Sequence, residues 1–256
     1  MVQLIDSHCH ITCNELYGRI DEVMEHALSH NVVKMMVMCT HFDEYERALS
    51  LQAEYPEQID IALGFHPSDL HDFAQEDYER LEAQLKMHKI SLLGEIGLDY
   101  HWAQNPSKEE QKAAFIRQIE LANRYGIAIS IHMRDATKDT LDILKENCRT
   151  RFIMHCFSGS KETAKIVMDM GGYISFAGPL TFKNARGLLE VPSVCDMERI
   201  LTETDCPYLT PHPYRGKRNE PMYVEYTFKK LAECLDMEEA ALSRQIQENY
   251  ERIKTW

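Results

Sequence analysis

Apolar residues occur along the chain in short runs separated by longer amphipathic segments. Eight runs are too short for independent buried helices and are rich in Ile, Val, Leu or Phe, which is typical of buried strands. They are Leu4–Asp6, Val32–Cys39, Ile59–Gly64, Ile90–Ile96, Ile127–Ile131, Phe152–Met154, Tyr173–Phe176 and Ile200–Leu201. Between them, apolar residues return at helical spacing, as at Phe115, Ile119 and Ala122. The pattern predicts strands that alternate with helices.

A strand followed by a helix, repeated eight times, predicts parallel strands joined by helical crossovers. In 256 residues this matches a closed (β/α)8 TIM barrel, a single α/β domain over residues 1–256 with an additional C-terminal helical region at 238–253. An open, doubly wound sheet is the alternative, because periodicity does not reveal closure. The lack of a glycine-rich phosphate fingerprint after the first strand and of a mid-chain linker favours the barrel.

Several helix boundaries can be predicted from local signals. Ser107 and Glu110 have the spacing of a capping box, in which each side chain accepts a hydrogen bond from the other residue's backbone N–H. Asp43 and Asp236 are each followed by a glutamate at the same spacing, which predicts two further helix starts. Gly126 is placed to adopt the left-handed conformation that ends the helix begun at Ser107.

The most informative polar residues lie where the predicted strands end. In a parallel barrel, all the carboxyl ends of the strands meet at one mouth, so residues far apart in sequence should converge there. The candidates are His8, His10, Glu95, His132, His155 and Asp205. His8 and His10 share a face of an extended strand because side chains alternate.

Four histidines and two carboxylates exceed the three protein ligands that a catalytic ion usually takes. They fit two divalent ions about 3.5–4 Å apart with a bridging carboxylate. The sequence therefore predicts two ions, bridged by Glu95. His8, His10 and Asp205 complete one site, and His132 and His155 complete the other.

Charge and loop composition limit the partners. The formal net charge of −13 opposes an extended grip on duplex DNA, but it permits a local site for one strand end. The stiff loop 206–219 holds three prolines and three basic residues, including Arg215. These basic residues indicate an anionic substrate or simply solubilise the loop. Tyr100, His101 and Trp102 either stack on a base or form an ordinary exposed aromatic cluster.

Cellular location follows from what the sequence lacks. No apolar run approaches the ~18–20 residues of a membrane span. The first residues lack the basic and apolar regions of a signal peptide. Eight cysteines without a secretion signal are expected to be reduced thiols. We expect a cytoplasmic protein with no membrane association and no obligate protein partner.

Five segments together resemble the TatD family of metal-dependent deoxyribonucleases, and the resemblance covers essentially the whole chain. The segments are 6–10, 94–100, 155–159, 203–209 and 213–221. The resemblance implies an amidohydrolase-type TIM barrel, a 3′–5′ exonuclease that cleaves DNA single strands with a metal-activated water, and a setting in DNA repair. It implies two divalent ions, Mg, Mn or Zn. It also implies ligands at the same six residues named above.

The resemblance further implies that Glu95 and Asp205 are catalytic and that His66 and Arg215 contact the substrate phosphate. Cys206, Ser68 and Met133 depart from residues usual in the family, which bears on substrate preference and not on the metal ligands. Two other functions stay open. One is a metal-dependent amidohydrolase or lactonase, although such enzymes often bridge their ions with a modified lysine on strand four. The other is a non-catalytic metal-binding scaffold.

Overall fold

A computed structural model of the protein describes residues 2–87 and 90–255. Its strands are β1 (Leu4–Cys9), β2 (Val32–Cys39), β3 (Ile59–Leu63), β4 (Leu92–Asp99), β5 (Ile129–Arg134), β6 (Phe152–Met154), β7 (Tyr173–Phe176) and β8 (Ile200–Thr202). Its α-helices are α1 (Asn14–Tyr17), α2 (Ile20–Ser29), α3 (Phe42–Glu54), α4 (Gln75–Lys86), α5 (Lys108–Tyr125), α6 (Thr137–Asn147), α7 (Lys161–Asp169), α8 (Val224–Leu235) and α9 (Glu239–Ile253).

The strands form one parallel sheet in the order β1 to β8, which curls into a nearly closed barrel. Hydrogen bonds join its two edges. The backbone N–H of Asp205 donates to the His8 carbonyl at 3.0 Å, and that of His10 donates to the Cys206 carbonyl at 2.8 Å. The Thr202 hydroxyl donates to the Ile5 carbonyl at 3.1 Å. The predicted TIM barrel is confirmed, and the open sheet is wrong.

The helices cover the barrel with one apolar face each. On α5, Phe115, Ile119 and Ala122 are all buried, as their spacing predicts. A fully buried Phe or Ile side chain contributes about 1.5–3 kcal/mol relative to an exposed one, so such faces hold the helices on the sheet. Among the described residues, no helix is both long and apolar enough to cross a membrane.

The capping signals were only partly correct. The Ser107 hydroxyl accepts from the Glu110 N–H at 3.3 Å, the Ser107 N–H donates to the Glu110 carboxylate at 2.8 Å, and Gly126 ends α5 at φ 64°. Asp43, however, lies inside α3, and Asp236 ends α8 in the left-handed conformation instead of starting α9. Spacing alone therefore does not establish a capping box.

Strands β4 and β5 end later than the sequence pattern indicates, so Glu95 and His132 lie within strands and not at their ends. The reason lies in a close approach of the two strands. Gly97 has φ 145°, and a Cβ atom there would lie 2.0 Å from the His132 carbonyl oxygen. Glycine thus allows β4 to pair with β5 past His132.

The predicted C-terminal helical region is present as α9, which packs against β1 and β8. The buried Asn249 side chain donates to the carbonyls of Met197 and Ile200, both at 2.8 Å. The Tyr250 hydroxyl donates to the Asp60 carboxylate at 2.9 Å. Helix α9 therefore contacts the start of β8 and, through Asp60, strand β3.

Candidate metal centre

The six predicted ligand residues converge at the mouth of the barrel. His8 lies in β1 and His10 directly after it, Glu95 in β4, His132 in β5, His155 directly after β6, and Asp205 three residues after the end of β8. All lie at the carboxyl half of the barrel, where side chains from separate strands face a common space. The barrel topology brings together residues that lie nearly 200 positions apart in the sequence.

One group of donor atoms, which we call the first cluster, comprises His8, His10, Asp205 and atom Oε2 of Glu95. The two imidazole Nε2 atoms lie 3.1 Å apart. Glu95 Oε2 lies 3.3 Å from Nε2 of His8 and 3.5 Å from Nε2 of His10. Asp205 Oδ1 lies 3.8 Å and 3.6 Å from the same two nitrogens.

The second cluster comprises His132, His155 and the other carboxylate oxygen of Glu95. Glu95 Oε1 lies 2.7 Å from Nδ1 of His132 and 2.7 Å from Nε2 of His155. These two nitrogens are 3.4 Å apart. The two oxygens of Glu95 thus face different sets of ligands, which is the arrangement of a bridging carboxylate.

The first cluster fits a metal ion as it stands. A tetrahedral ion with bonds of about 2.0–2.1 Å holds its donor atoms about 3.3–3.4 Å apart. The Nε2 atoms of His8 and His10 lie 3.1–3.8 Å from each other and from the carboxylate oxygens of Glu95 and Asp205. The second cluster is contracted, because Glu95 Oε1 accepts hydrogen bonds from both imidazoles. An ion there requires these contacts to open by about 0.6 Å. The donor chemistry fits two ions, with one site preformed.

The charges of the ligand residues in the two clusters are coupled. Burial would lower the pKa of His10, but hydrogen bonds to Asp205 and Glu95 raise it to about 10. Burial likewise opposes the charging of His155, yet Glu95 and Glu203 raise its pKa well above the usual value. Burial would raise the pKa of Glu95, but the surrounding histidines hold it well below its usual range. Protons therefore occupy positions that divalent ions would take.

Two carboxylates that were given no role from the sequence orient the second cluster. Asp99 Oδ2 lies 3.1 Å from Nε2 of His132, which leaves Nδ1 directed at Glu95. Glu203 Oε1 lies 3.3 Å from Nδ1 of His155 and accepts the Cys156 N–H at 2.6 Å. Carboxylate partners of this kind orient ligating imidazoles and increase their basicity. The signal was present for Asp99, because residues 95, 97 and 99 share one face of a strand.

Asp205 is held by a buried network at the end of β8. Asp6 accepts hydrogen bonds from the Thr204 N–H at 2.8 Å and the Thr204 hydroxyl at 2.5 Å. Asp205 itself has φ 56°, a backbone conformation that costs a non-glycine residue about 1–2 kcal/mol. The network offsets this strain and directs the Asp205 carboxylate towards the two histidines of β1.

The clusters open into a cavity of about 670 Å³. His66 lines it, with Nε2 3.7 Å from Glu95 Oε1, and its Nδ1 accepts the Ser68 N–H at 3.2 Å. Burial lowers the pKa of His66 to about 3, so Nε2 carries the proton of a neutral ring and can donate. Arg215 is not among the described lining residues; its guanidinium lies 3.7 Å from the centre of the Phe182 ring.

Comparison with known proteins identifies related sequences and a related fold. Residues 5–254 match the family model of TatD related DNase. The chain is 41% identical to the uncharacterized metal-dependent hydrolase YabD of Bacillus subtilis, over 98% of each chain. It is 33% identical to the uncharacterized metal-dependent hydrolase YcfH of Escherichia coli K12, over 98% of this chain and 95% of the relative. The crystal structure of YJJV, a TatD homologue from Escherichia coli K12, superposes with a TM-score of 0.92 at 27% identity, covering 99% and 98% of the two chains.

Proposed function

Because this chain belongs to the TatD family of metal-dependent hydrolases, we propose that its reaction is hydrolysis of DNA phosphodiester bonds from the 3′ end. The observation that carries the proposal is the split geometry of Glu95, whose two oxygens face separate ligand clusters. Two closely spaced ions suit in-line displacement at phosphorus, since one face of the phosphate meets the nucleophile and the other the leaving oxygen. The family model's description as a DNase supports DNA as the substrate.

In this proposal, the residues of the first cluster would hold one divalent ion and those of the second cluster another, with Glu95 contributing to both. When bound, the ions lower the pKa of a water from 15.7 towards about 7 and neutralise charge on the phosphate oxygens. Four imidazoles favour a transition ion such as Zn, Fe or Ni, whereas Mg prefers oxygen ligands. We therefore expect at least the preformed first cluster to take a transition ion.

The side chains have separate tasks in the reaction. Asp205, 3.6 Å from the His10 ring nitrogen, orients the attacking water and accepts its proton. The water oxygen bonds to phosphorus as the bond from phosphorus to the preceding 3′ oxygen breaks. The departing 3′ oxygen takes a proton from solvent water, so the products are a nucleoside 5′-monophosphate and a shortened strand with a new 3′-hydroxyl. His66 donates a hydrogen bond from its Nε2–H to a phosphate oxygen where charge grows. No protein nucleophile is required.

Arg215 is a second predicted phosphate contact. Its position over Phe182 lies outside the described cavity lining, so its partner would be a phosphate farther along the strand and not the scissile one. Such a contact affects binding more than turnover. We therefore expect Arg215→Ala to raise KM and leave kcat nearly unchanged.

The experiment supplies metal-depleted protein with Mg, Mn or Zn and follows single-stranded DNA labelled at either end. The proposal predicts stepwise release of mononucleotides from the 3′ end, loss of activity with chelator, and recovery on adding metal. RNA of the same sequence, a lactone and a cyclic amide are the comparison substrates. Turnover of the lactone or the amide without turnover of DNA would instead identify an amidohydrolase. Metal binding without turnover of any substrate would indicate a scaffold.

A further inference from the structure

Two carboxylates outside the metal centre line one side of the cavity. Glu44, on the segment after β2, and Asp69, after β3, both line it. The Glu44 carboxylate is fixed at the rim because it accepts the Thr40 N–H at 3.0 Å. Burial raises the pKa of Asp69, and the charges of Asp72 and Glu44 add to this effect against an opposing His41. Negative charge is therefore crowded on the β2–β3 side.

A positively charged side chain lines a different side of the cavity. Arg134, at the end of β5, is the one lysine or arginine among the described residues that line the cavity. Within residues 2–87 and 90–255 its guanidinium makes no hydrogen bond or ion pair. An unpaired guanidinium at the mouth of an acidic protein is free to bind a phosphate with its planar set of donors.

An exposed aromatic ring lies beside this cation. Trp102, which follows β4, lines the cavity and is 48% exposed. The Arg134 guanidinium lies 5.3 Å from the centre of its ring. An aromatic face next to a cation is the usual surface for an unstacked base and its adjoining phosphate. Trp102 and Arg134 together can therefore hold one nucleotide of a single strand.

We propose that the cavity accepts a single strand in one direction only, with a hydroxyl-terminated nucleoside against Glu44 and Asp69 and the remaining chain leaving over Trp102 and Arg134. This inference rests on the proposed function and adds how the strand end is selected. It makes Glu44 and Asp69 specificity residues that touch the terminal sugar, and Arg134 and Trp102 binding residues for the rest of the chain.

The physical basis is the difference between a hydroxyl and a phosphate at the strand end. A sugar hydroxyl can donate a hydrogen bond to a carboxylate, whereas a terminal phosphate would bring up to two negative charges close to Glu44 and Asp69. Repulsion between partly desolvated charges a few ångströms apart reduces binding by at least about tenfold. The acidic side therefore excludes both internal positions of a strand and phosphorylated ends.

The experiment uses the whole protein with Mn and single-stranded oligonucleotides of one sequence. One has hydroxyls at both ends, one a 3′-phosphate and one a 5′-phosphate, and an internal fluorophore reports which end is shortened. A phosphate at the digested end should lower kcat/KM by at least about tenfold, and a phosphate at the far end should have no effect. The double variant Glu44→Gln/Asp69→Asn should digest the blocked oligonucleotide faster than the wild type does. The exposed pair Asp21→Asn/Glu25→Gln on α2 is its matched control.

The proposed contacts of Arg134 and Trp102 with the rest of the DNA strand are tested with the variants Arg134→Gln and Trp102→Ala. The control variant is Arg244→Gln, on the exposed face of α9. Each cavity variant should raise KM for the oligonucleotide about tenfold, since one charge-assisted hydrogen bond or one stacked base has this effect. Hydrolysis of bis(p-nitrophenyl) phosphate, which has no chain, should fall much less than hydrolysis of the oligonucleotide.

Different failures are distinguishable. Equal losses on both substrates would mean that Arg134 supports the metal centre, and this would overturn the inference alone. Indifference of an active wild-type nuclease to a terminal phosphate at either end would do the same. Hydrolysis of the small phosphodiester with no action on any oligonucleotide would overturn the proposed function and the inference together.

Discussion

Replacing Glu95 by Gln is the most direct perturbation of the two-ion arrangement. Glu95 is buried, and its Oε1 lies 2.7 Å from the nearest ring nitrogen of both His132 and His155. Its Oε2 lies 3.3 Å and 3.5 Å from Nε2 of His8 and His10. Gln has the same shape, but it lacks the negative charge and presents one NH₂ group, which cannot ligate a metal.

The expected magnitude follows from the ligands that remain. Without Glu95, the second cluster keeps two neutral imidazoles, fewer than the three protein ligands of a typical catalytic site. The first cluster keeps His8, His10 and Asp205, which is enough for one ion. We therefore expect the stoichiometry to fall from two ions to one. The loss of kcat should be at least 10²–10³-fold, the effect of removing one preorganised electrostatic group at a reaction centre.

The assay combines metal analysis after equilibrium dialysis with hydrolysis of bis(p-nitrophenyl) phosphate and of single-stranded DNA. Glu198→Gln, an exposed glutamate that pairs with Arg252, is the matched control and should retain both ions. Circular dichroism of the metal-free variants separates loss of metal from loss of fold. Two bound ions with undiminished turnover in Glu95→Gln would refute the bridging role.

Three further outcomes are expected. Asp99→Asn should weaken metal binding about 10–100-fold, because it removes the carboxylate that orients His132; titration with excess metal should restore most of the turnover. Burial raises the pKa of Asp6 from 3.8 to about 8, so its contribution to stability is complete below pH 3.8 and is lost as pH rises through 8. Denaturant unfolding of metal-free protein should therefore lose up to about 1.4 kcal/mol per pH unit between these values relative to Asp6→Asn. Metal binding should release protons, because the pKa of His10 is raised to about 10 and those of His132 and His155 are raised too; calorimetry in buffers of different ionisation enthalpy measures this release.

Barrel topology explains why the candidate centre could be predicted from sequence. In a parallel barrel, the carboxyl ends of all strands lie at one face. A metal-ligand type of residue near such an end is therefore expected at that face. For His8 and Asp205 the prediction needed no side-chain detail, because the edge strands β1 and β8 meet at that point. The same rule gave Glu95 its central position between ligands from either side of the barrel.

Other features depend on contacts that no local pattern contains. The spacing at Asp43 predicts a capping box, but Phe42 already belongs to α3 and packs against Phe65 with ring centres 6.1 Å apart. The carboxylate of Glu44 instead accepts the Thr40 N–H. Tertiary packing of an aromatic side chain thus determined where this helix begins. Arg215 likewise lies over Phe182, a residue more than thirty positions earlier.

The choice of ring nitrogen shows most clearly what sequence leaves undetermined. A histidine in a motif predicts a ligand, but not whether Nδ1 or Nε2 is offered. At His132 the structure directs Nδ1 to Glu95 because Asp99 takes Nε2, whereas at His155 Glu203 takes Nδ1 and leaves Nε2. Nδ1 of His132 and Nε2 of His155 therefore both point at atom Oε1 of Glu95. This convergence depends on carboxylates behind the ligands, so variation at Asp99 or Glu203 should tune the second site while the first cluster is preserved.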